Sequence, residues 1–167
     1  MSCSCNDYDH LELIRKDISK RIRETRKLKK SLEEIAKDSS GEHKLFICPK
    51  CSQHWQMSRA WNWANEPYLF KVPQITIDDW LQELYIQPDS MLIFDAVITR
   101  FLDQDFVDST RTCKTENCDK KAIKVSAFCL SHHIAMLQEA KMLPKIPEGR
   151  MFKPYDYSKD VVSLSDL

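Results

Sequence analysis

The spacing of apolar residues changes along the chain, and each spacing predicts a different kind of element. From Leu11 to Ile35 apolar residues recur at steps of three and four, with no Gly or Pro between them. This pattern predicts one long amphipathic helix over residues 8–38. Short β-like runs follow within residues 44–73, in which Trp55 and Phe70 alternate as core residues should. They predict a small antiparallel sheet.

The second half of the chain predicts helices and then an extended segment. Helix-start signals and apolar spacing predict helices over residues 78–85, 90–103 and 131–142. Prolines at positions 144, 147 and 154 are incompatible with a regular helix beyond Leu143. We therefore expect an extended tail, with Phe152 and Tyr155 packing against the domain.

Composition restricts the possible functions. The chain has 167 residues and only two glycines, Gly41 and Gly149, which excludes the glycine-rich phosphate loops of nucleotide-binding enzymes. A core can form without disulfides at this length. No apolar run has the length of a signal peptide core or a membrane span, so the sequence predicts a cytoplasmic protein with no membrane partner.

The seven cysteines point to metal rather than to disulfides. A reducing compartment keeps thiols unpaired, and an odd count fits a disulfide framework badly. The strongest pattern is C-x4-C-x10-C-x2-H, formed by Cys113, Cys118, Cys129 and His132. Three thiolates and an imidazole are a complete ligand set for tetrahedral zinc. His133 competes for the fourth position, but a spacing of three residues on a helix favours His132.

A second metal site is predicted around Cys48 and Cys51, which form a C-x2-C knuckle between two predicted strands. Cys3 and Cys5 are the remaining cysteines and can complete a set of four. The histidines at positions 10, 43 and 54 are alternatives to a member of this N-terminal pair. The metal would cross-link the chain end to the sheet.

Neither predicted site has the pattern of a catalytic metal centre. Catalytic zinc keeps an open position for water, and neither HExxH nor HxE with PCxxC occurs in the sequence. We therefore expect two structural zinc ions and no enzymatic activity. The sequence predicts an α+β fold with one zinc-stabilised domain over residues 1–143 and a tail over 144–167. The parts of the domain are the long helix (8–38), the zinc-knuckle sheet (44–73), an acidic helical part (76–108) and the second zinc segment (111–143).

Charge is zero overall but unevenly distributed. Residues 11–50 carry a net charge of plus five, and residues 71–110 carry minus six. The predicted solvent side of the long helix holds Arg15, Lys16, Lys20, Arg21, Arg23, Arg26, Lys27, Lys29 and Lys30. Local ion pairs with Glu24, Glu33 and Glu34 are the simplest interpretation of this basic side.

The aromatic and acidic residues suggest a protein partner. Trp61 and Trp63 lie beside Arg59 in a segment without clear periodicity, where each either packs in the core or anchors a partner. The acidic part includes eight carboxylates: Asp78, Asp79, Glu83, Asp89, Asp95, Asp103, Asp105 and Asp108. Among them Asp103, Asp105 and Asp108 are candidates for contact with a basic protein surface.

Two stretches resemble known families. CKTENCDKKAIKVSAFCLSHH is similar in its Cys and His spacing to the zinc repeats linked to plant WRKY domains, although His133-Ile134-Ala135 replaces the glycines and further Cys expected there. FICPKCSQHWQMSRAWNWANEPYLFKV, with the acidic part and the second zinc segment, resembles small bacterial zinc-binding immunity proteins of polymorphic-toxin systems. That resemblance implies a cytoplasmic, non-enzymatic inhibitor of one cognate toxin.

The sequence thus favours a zinc-stabilised protein-binding module whose partner is a toxin or nuclease with a basic surface. The alternative is a nucleic-acid-binding zinc protein that uses the basic helix and the second zinc segment. A neutral chain is the weaker candidate for nucleic acid, because that affinity comes from neutralising many phosphates.

Overall fold

The computed structural model describes residues 3–153, and these form the predicted α+β fold. The chain divides into two compact units, residues 3–92 with 147–153, and residues 93–146. The elements in chain order are α1 (Arg15–Leu28), β1 (Glu33–Lys37), β2 (Lys44–Ile47), β3 (His54–Ala60), β4 (Glu66–Val72), α2 (Ile77–Gln82), α3 (Pro88–Leu102), β5 (Asp108–Thr112), β6 (Lys121–Ile123) and α4 (Leu130–Glu139). No helix among the described residues is long and apolar enough to cross a membrane.

The first unit is built on an antiparallel sheet in the order β1-β2-β3-β4. The predicted antiparallel sheet is therefore confirmed. In the central pair β3–β4, Gln56 lies opposite Phe70 and Met57 opposite Leu69. Because side chains alternate along a strand, these two pairs point to opposite faces.

The predicted helix over residues 8–38 is wrong. The helix α1 covers only Arg15–Leu28, and a 3₁₀ turn at Lys29–Ser31 leads into strand β1. The apolar spacing continues to Ile35, but that residue lies in β1, which pairs with β2. The hairpin closes where the Asp38 carboxylate accepts hydrogen bonds from the backbone N–H groups of Ser40 and His43. Sheet pairing thus overrides the helical preference of this segment.

One face of the sheet packs against α1 and the N-terminal segment. Its buried cluster consists of Cys5, Leu28, Phe46, Cys48, Trp55 and Leu69. Arg21 of α1 is buried, donating to the carbonyl oxygens of Leu69 and Asp9, while Thr25 accepts from the N–H of Leu69. These contacts satisfy backbone groups of β4, so α1 covers the edge of this strand. Arg21 does not lie on the solvent side of the helix, where the sequence analysis placed it.

The other face of the sheet is covered by α2 and by residues 149–152. The buried Gln56 amide donates to the carbonyl of Tyr85, and its oxygen accepts from the indole of Trp80. Phe152 is buried and stacks on Phe70 with ring centroids 5.8 Å apart, as expected for an anchoring residue. Gly149 has a φ of +133°, and a Cβ there would lie 2.7 Å from the Leu84 carbonyl oxygen.

The second unit is small. It holds most of α3, the hairpin β5–β6 and α4. It contains a group of half-buried rings in which the ring centroid of Phe101 lies 5.1 Å from that of Phe106 and 6.2 Å from that of His133. Tyr155 and the rest of the predicted tail beyond residue 153 lie outside the described residues, and the division of the chain into one domain and a tail stays a prediction.

Candidate metal centres

The first candidate centre brings together Cys3, Cys5, Cys48 and Cys51, whose sulfur atoms all lie within 4.8 Å of one another. Cys48 and Cys51 come from the turn between β2 and β3. That turn is fixed by hydrogen bonds from the N–H of Cys48 to the Gln53 carbonyl and from the N–H of Ser52 to the Cys48 carbonyl, each 2.9 Å. The N-terminal segment supplies the other two thiols, with Cys5 opening a 3₁₀ turn. The histidines considered as alternatives are not part of this group.

The thiols of the first centre lie in different surroundings. Cys5 and Cys48 are buried, whereas Cys51 is exposed. Burial raises the pKa of Cys5. Burial also acts to raise the pKa of Cys48, but the backbone N–H groups of Lys50 and Cys51 outweigh it and lower that pKa to about 7. A thiolate is the form that binds metal, so this turn favours the ligand state of Cys48.

The second candidate centre brings together Cys113, Cys118, Cys129 and His132. Cys113 follows β5, and Cys118 lies in the turn before β6. Cys129 is the N-cap of α4, and His132 lies in the first turn of that helix. Residues three apart on a helix project to the same side, so the C-x2-H spacing lets Cys129 and His132 face the same metal ion. His133 is not in the group, and its Nδ1 is buried with no partner among the described residues.

The distances in the second centre suit a tetrahedral ion. His132 Nδ1 lies 3.4 Å from Cys113 Sγ and 3.2 Å from Cys129 Sγ, and the sulfurs of Cys118 and Cys129 are 3.9 Å apart. Four N and S ligands around a tetrahedral zinc ion would lie roughly 3.5–3.8 Å from one another. The four side chains are therefore arranged so that one metal ion can bind all of them.

Electrostatics at the second centre favour the thiolate, which is the metal-binding form, at Cys113 and Cys129 but do not favour the neutral, metal-binding form of His132. Burial acts to raise the pKa of Cys113, but the backbone N–H of Cys129 and contacts with Thr115 lower it to about 5. The pKa of Cys129 is lowered as well, because the Ser131 hydroxyl and the N–H of His132 outweigh burial. Hydrogen bonding to Cys113 is the main reason why the pKa of His132 is raised. All seven cysteines are free of disulfides.

The predicted partner residues are divided between the two units. In the first unit Trp61 has 74% of its surface exposed, while Trp63 is half-buried and donates its indole N–H to Ser19 Oγ at 2.8 Å. In the second unit Asp103, Asp105 and Asp108 are exposed. No Lys or Arg of the described residues forms an ion pair with these three aspartates.

The structure gives Asp89 a structural role in place of the predicted position in the acidic patch. Only 1% of this residue is exposed. Its carboxylate accepts from the Tyr68 hydroxyl at 2.5 Å and from the backbone N–H of Trp61 at 3.1 Å. It therefore fixes the backbone beneath the exposed tryptophan. The only sequence signal was its position beside Pro88 at a helix start.

Comparisons with known proteins give no relative: neither a family model, nor a curated protein, nor a solved structure matches the chain. The resemblances to immunity proteins and to plant zinc repeats therefore stay predictions from motifs.

Proposed function

We propose that this protein is a non-enzymatic binding module whose fold is held by two zinc ions. Thiolate and imidazole ligands suit zinc better than calcium or magnesium, which take oxygen ligands. Each group supplies four protein ligands, the number that closes a structural zinc site and leaves no position for a reacting water. Free thiols fit a reducing compartment, so we place the protein in the cytoplasm.

The ligand of the module is a protein, and the exposure of Trp61 is the observation that carries this proposal. A large aromatic side chain 74% exposed on a fixed backbone is costly to leave in water and is typical of binding hot spots. Trp63 lies two residues away in the same loop and is half-buried. Few side chains provide more binding free energy than tryptophan when a partner covers them.

In its most specific form, the module is an immunity protein that binds and neutralises a cognate bacterial toxin. Asp103, Asp105 and Asp108 are exposed and have no cationic partner among the described residues. Unpaired carboxylates of this kind complement the basic, nucleic-acid-binding surface of a nuclease and accelerate its association. We propose a toxin as the partner because the knuckle segment resembles immunity proteins.

Native mass spectrometry of the protein from its own host tests the proposal, because it counts metals and partners together. We expect two zinc ions and one bound protein per chain. In binding assays with that partner, Trp61→Ala should weaken affinity at least tenfold, and Val125→Ala, at another exposed apolar position, should not. Reversing the charges of the three aspartates should slow association. A protein purified without zinc would contradict the proposed zinc-stabilised fold. Unchanged binding by these variants would exclude Trp61 and the three aspartates from the partner-binding surface.

A second candidate function, nucleic-acid binding, is favoured by one observation on α1. The local ion pairs expected for its basic side are largely missing, because Glu33 and Glu34 lie in strand β1 rather than on the helix. Nucleic acid would be retained in a strongly salt-dependent way. Filter binding of DNA and RNA at two salt concentrations distinguishes this candidate from the protein-binding module.

A further inference from the structure

The exposed side of α1 and of the 3₁₀ turn after it carries a concentrated positive charge. Residues 15–31 contain nine Lys and Arg and only two acidic residues, in a chain whose net charge is zero. Glu24 pairs with Lys20 and with the buried Arg21. Among the described residues no acidic side chain forms an ion pair with the other exposed cations of this segment, which include Lys16, Arg23, Arg26, Lys27 and Lys30.

Four of these cations form a stripe along the helix. Lys16, Lys20, Arg23 and Lys27 follow one another at steps of four, three and four residues. At about 100° per residue they project within about 60° of one another, and they span about 16 Å along the axis. Asp17 and Glu24 project about 40–60° beyond the edge of this stripe, where Glu24 pairs with Lys20. Lys16, Arg23 and Lys27 have no acidic partner among the described residues, so these three cations of the stripe suit successive phosphates.

The loop that carries Trp61 contacts the N-terminal half of α1. The Arg15 guanidinium lies 4.5 Å from the centre of the Trp63 ring and donates to the Asn62 carbonyl oxygen at 3.4 Å. The indole N–H of Trp63 bonds to Ser19, one turn further along the helix. These contacts hold the loop against the first turns of α1. The Trp61 side chain, two residues before Trp63 in this loop, is 74% exposed.

We propose that α1 and Trp61 together bind single-stranded nucleic acid, with the phosphates along the cationic stripe and a base stacked on the Trp61 ring. This inference rests on the second candidate function, nucleic-acid binding, and specifies its ligand. Single strands expose base faces that stack on aromatic side chains, whereas the bases of a duplex are already stacked on each other. An exposed aromatic ring and a row of cations, carried by a loop and a helix that contact each other, have the composition of such a site.

Fluorescence anisotropy with labelled oligonucleotides tests the inference. The probes are a twenty-nucleotide dT strand, a U strand of the same length and a duplex of the same length, each at low and at physiological salt. We expect the single strands to bind at least tenfold more tightly than the duplex. Trp61→Ala should weaken single-strand binding about tenfold without changing the salt dependence, because stacking releases no counterions. Trp61→Phe should keep most of the affinity.

A charge variant and its matched control complete the test. Arg23→Gln with Lys27→Gln removes two cations of the stripe and should reduce the slope of log affinity against log salt by about 1.4. Lys37→Gln with Arg100→Gln removes two exposed cations outside both α1 and the second zinc segment and should leave this slope unchanged. Equal binding of duplex and single strand with no effect of Trp61→Ala would overturn the single-strand inference and leave nucleic-acid binding standing. Polyglutamate, an anionic polypeptide without bases, serves as a competitor. If no oligonucleotide binds, or if polyglutamate binds more tightly than the oligonucleotides, both the single-strand inference and the nucleic-acid candidate function are excluded.

Discussion

The two candidate metal centres use nearly the same ligands but lie in very different surroundings. The Cys3–Cys5–Cys48–Cys51 centre adjoins a four-stranded sheet with a large apolar core on each face. The centre at Cys113, Cys118, Cys129 and His132 lies in a unit of residues 93–146 with a two-stranded sheet. Two of the buried side chains of that unit are ligands themselves, and the others are Phe94, Ile98, Ala122, Ile123 and Ile134.

This difference indicates that metal binding contributes differently to the stability of the two units. In a unit of 54 described residues, 93–146, the hydrophobic core rarely supplies more than about 3–5 kcal/mol of stability. There the metal supplies much of the folding free energy. In the first unit the sheet has its own core, so the metal mainly ties the N-terminal segment to the β2–β3 turn. The comparison predicts a graded series of effects, in which the second unit depends on metal most.

The largest effect is expected for Cys129→Ser. Loss of this ligand removes a zinc binding free energy on the order of 10 kcal/mol, which exceeds what the small core of the second unit can supply. We expect zinc content to fall from two ions to one, and the amide NMR signals of residues 93–146 to lose dispersion while those of the first unit persist. His132→Ala should behave similarly and its neighbour His133→Ala should retain both ions. A metal-free but well-ordered second unit in Cys129→Ser would contradict the comparison.

A smaller effect is expected at the first centre. Cys3→Ser opens a metal cross-link that closes a loop of about 45 residues, for which the chain-entropy estimate is about 4 kcal/mol. We expect one zinc ion to be lost and the sheet to remain folded. Hydrogen exchange should accelerate mainly in the segment around Cys5 and Leu11. Ser4→Ala, between the two ligands, is the matched control and should keep both ions. Collapse of the sheet in Cys3→Ser would show that the first unit depends on metal as strongly as the second.

The third prediction concerns the apolar core that makes the first unit less dependent on metal. Phe152 is 3% exposed and packs on Phe70 and Tyr85, so Phe152→Ala should lower the free energy of unfolding of this unit by about 3 kcal/mol. Denaturant unfolding measures the change, and zinc content should stay at two ions. The neighbouring Met151 is 39% exposed, and Met151→Ala should alter stability by less than about 0.5 kcal/mol. Equal effects of the two variants would argue against a core-supported first unit.

The metal ligand groups were predictable from the sequence because their spacing is local and chemically specific. A C-x2-C turn and a C-x2-H helix start each place two ligands close together whatever surrounds them. Strands β2, β3 and β4 were predictable from short runs of apolar and aromatic residues, whereas β1, β5 and β6 were not predicted. Pairing Cys3 and Cys5 with the knuckle followed from the inventory of cysteines rather than from any local pattern.

The features that could not be predicted depend on contacts between distant segments. Residues 33–37 have helix-forming side chains and become a strand because β2 lies beside them. Arg21 and Asp89 look like surface charges, yet both are buried by hydrogen bonds to residues 12 to 48 positions away. Burial of a charged group depends on partners that only the tertiary fold brings near. The position of the Trp61 loop could not be predicted either, because it depends on contacts with Arg15, Ser19 and Asp89, which are distant in sequence.

The smallest expected effect is a pH dependence confined to the first unit. Burial raises the pKa of Asp89 more than the Tyr68 hydroxyl lowers it. The folded protein therefore keeps this proton at pH values where the unfolded chain, with an ordinary pKa of about 3.9, has lost it. The contribution to stability is present at low pH and is lost as pH rises through the raised pKa. Asp89→Asn removes the titration and should lack this decline.

Urea unfolding of wild type and Asp89→Asn across pH 4 to 7 measures the difference. Because acid also displaces zinc from thiolates, the two proteins are compared at each pH, so that the metal contribution cancels. The advantage of wild type over Asp89→Asn should shrink as pH rises. Asp78→Asn, at an exposed position of α2, controls for the loss of one negative charge. An advantage that grows with pH would mean that the carboxylate is stabilised by its hydrogen bonds with Tyr68 and Trp61, and that this part of the first unit is organised around a buried charge.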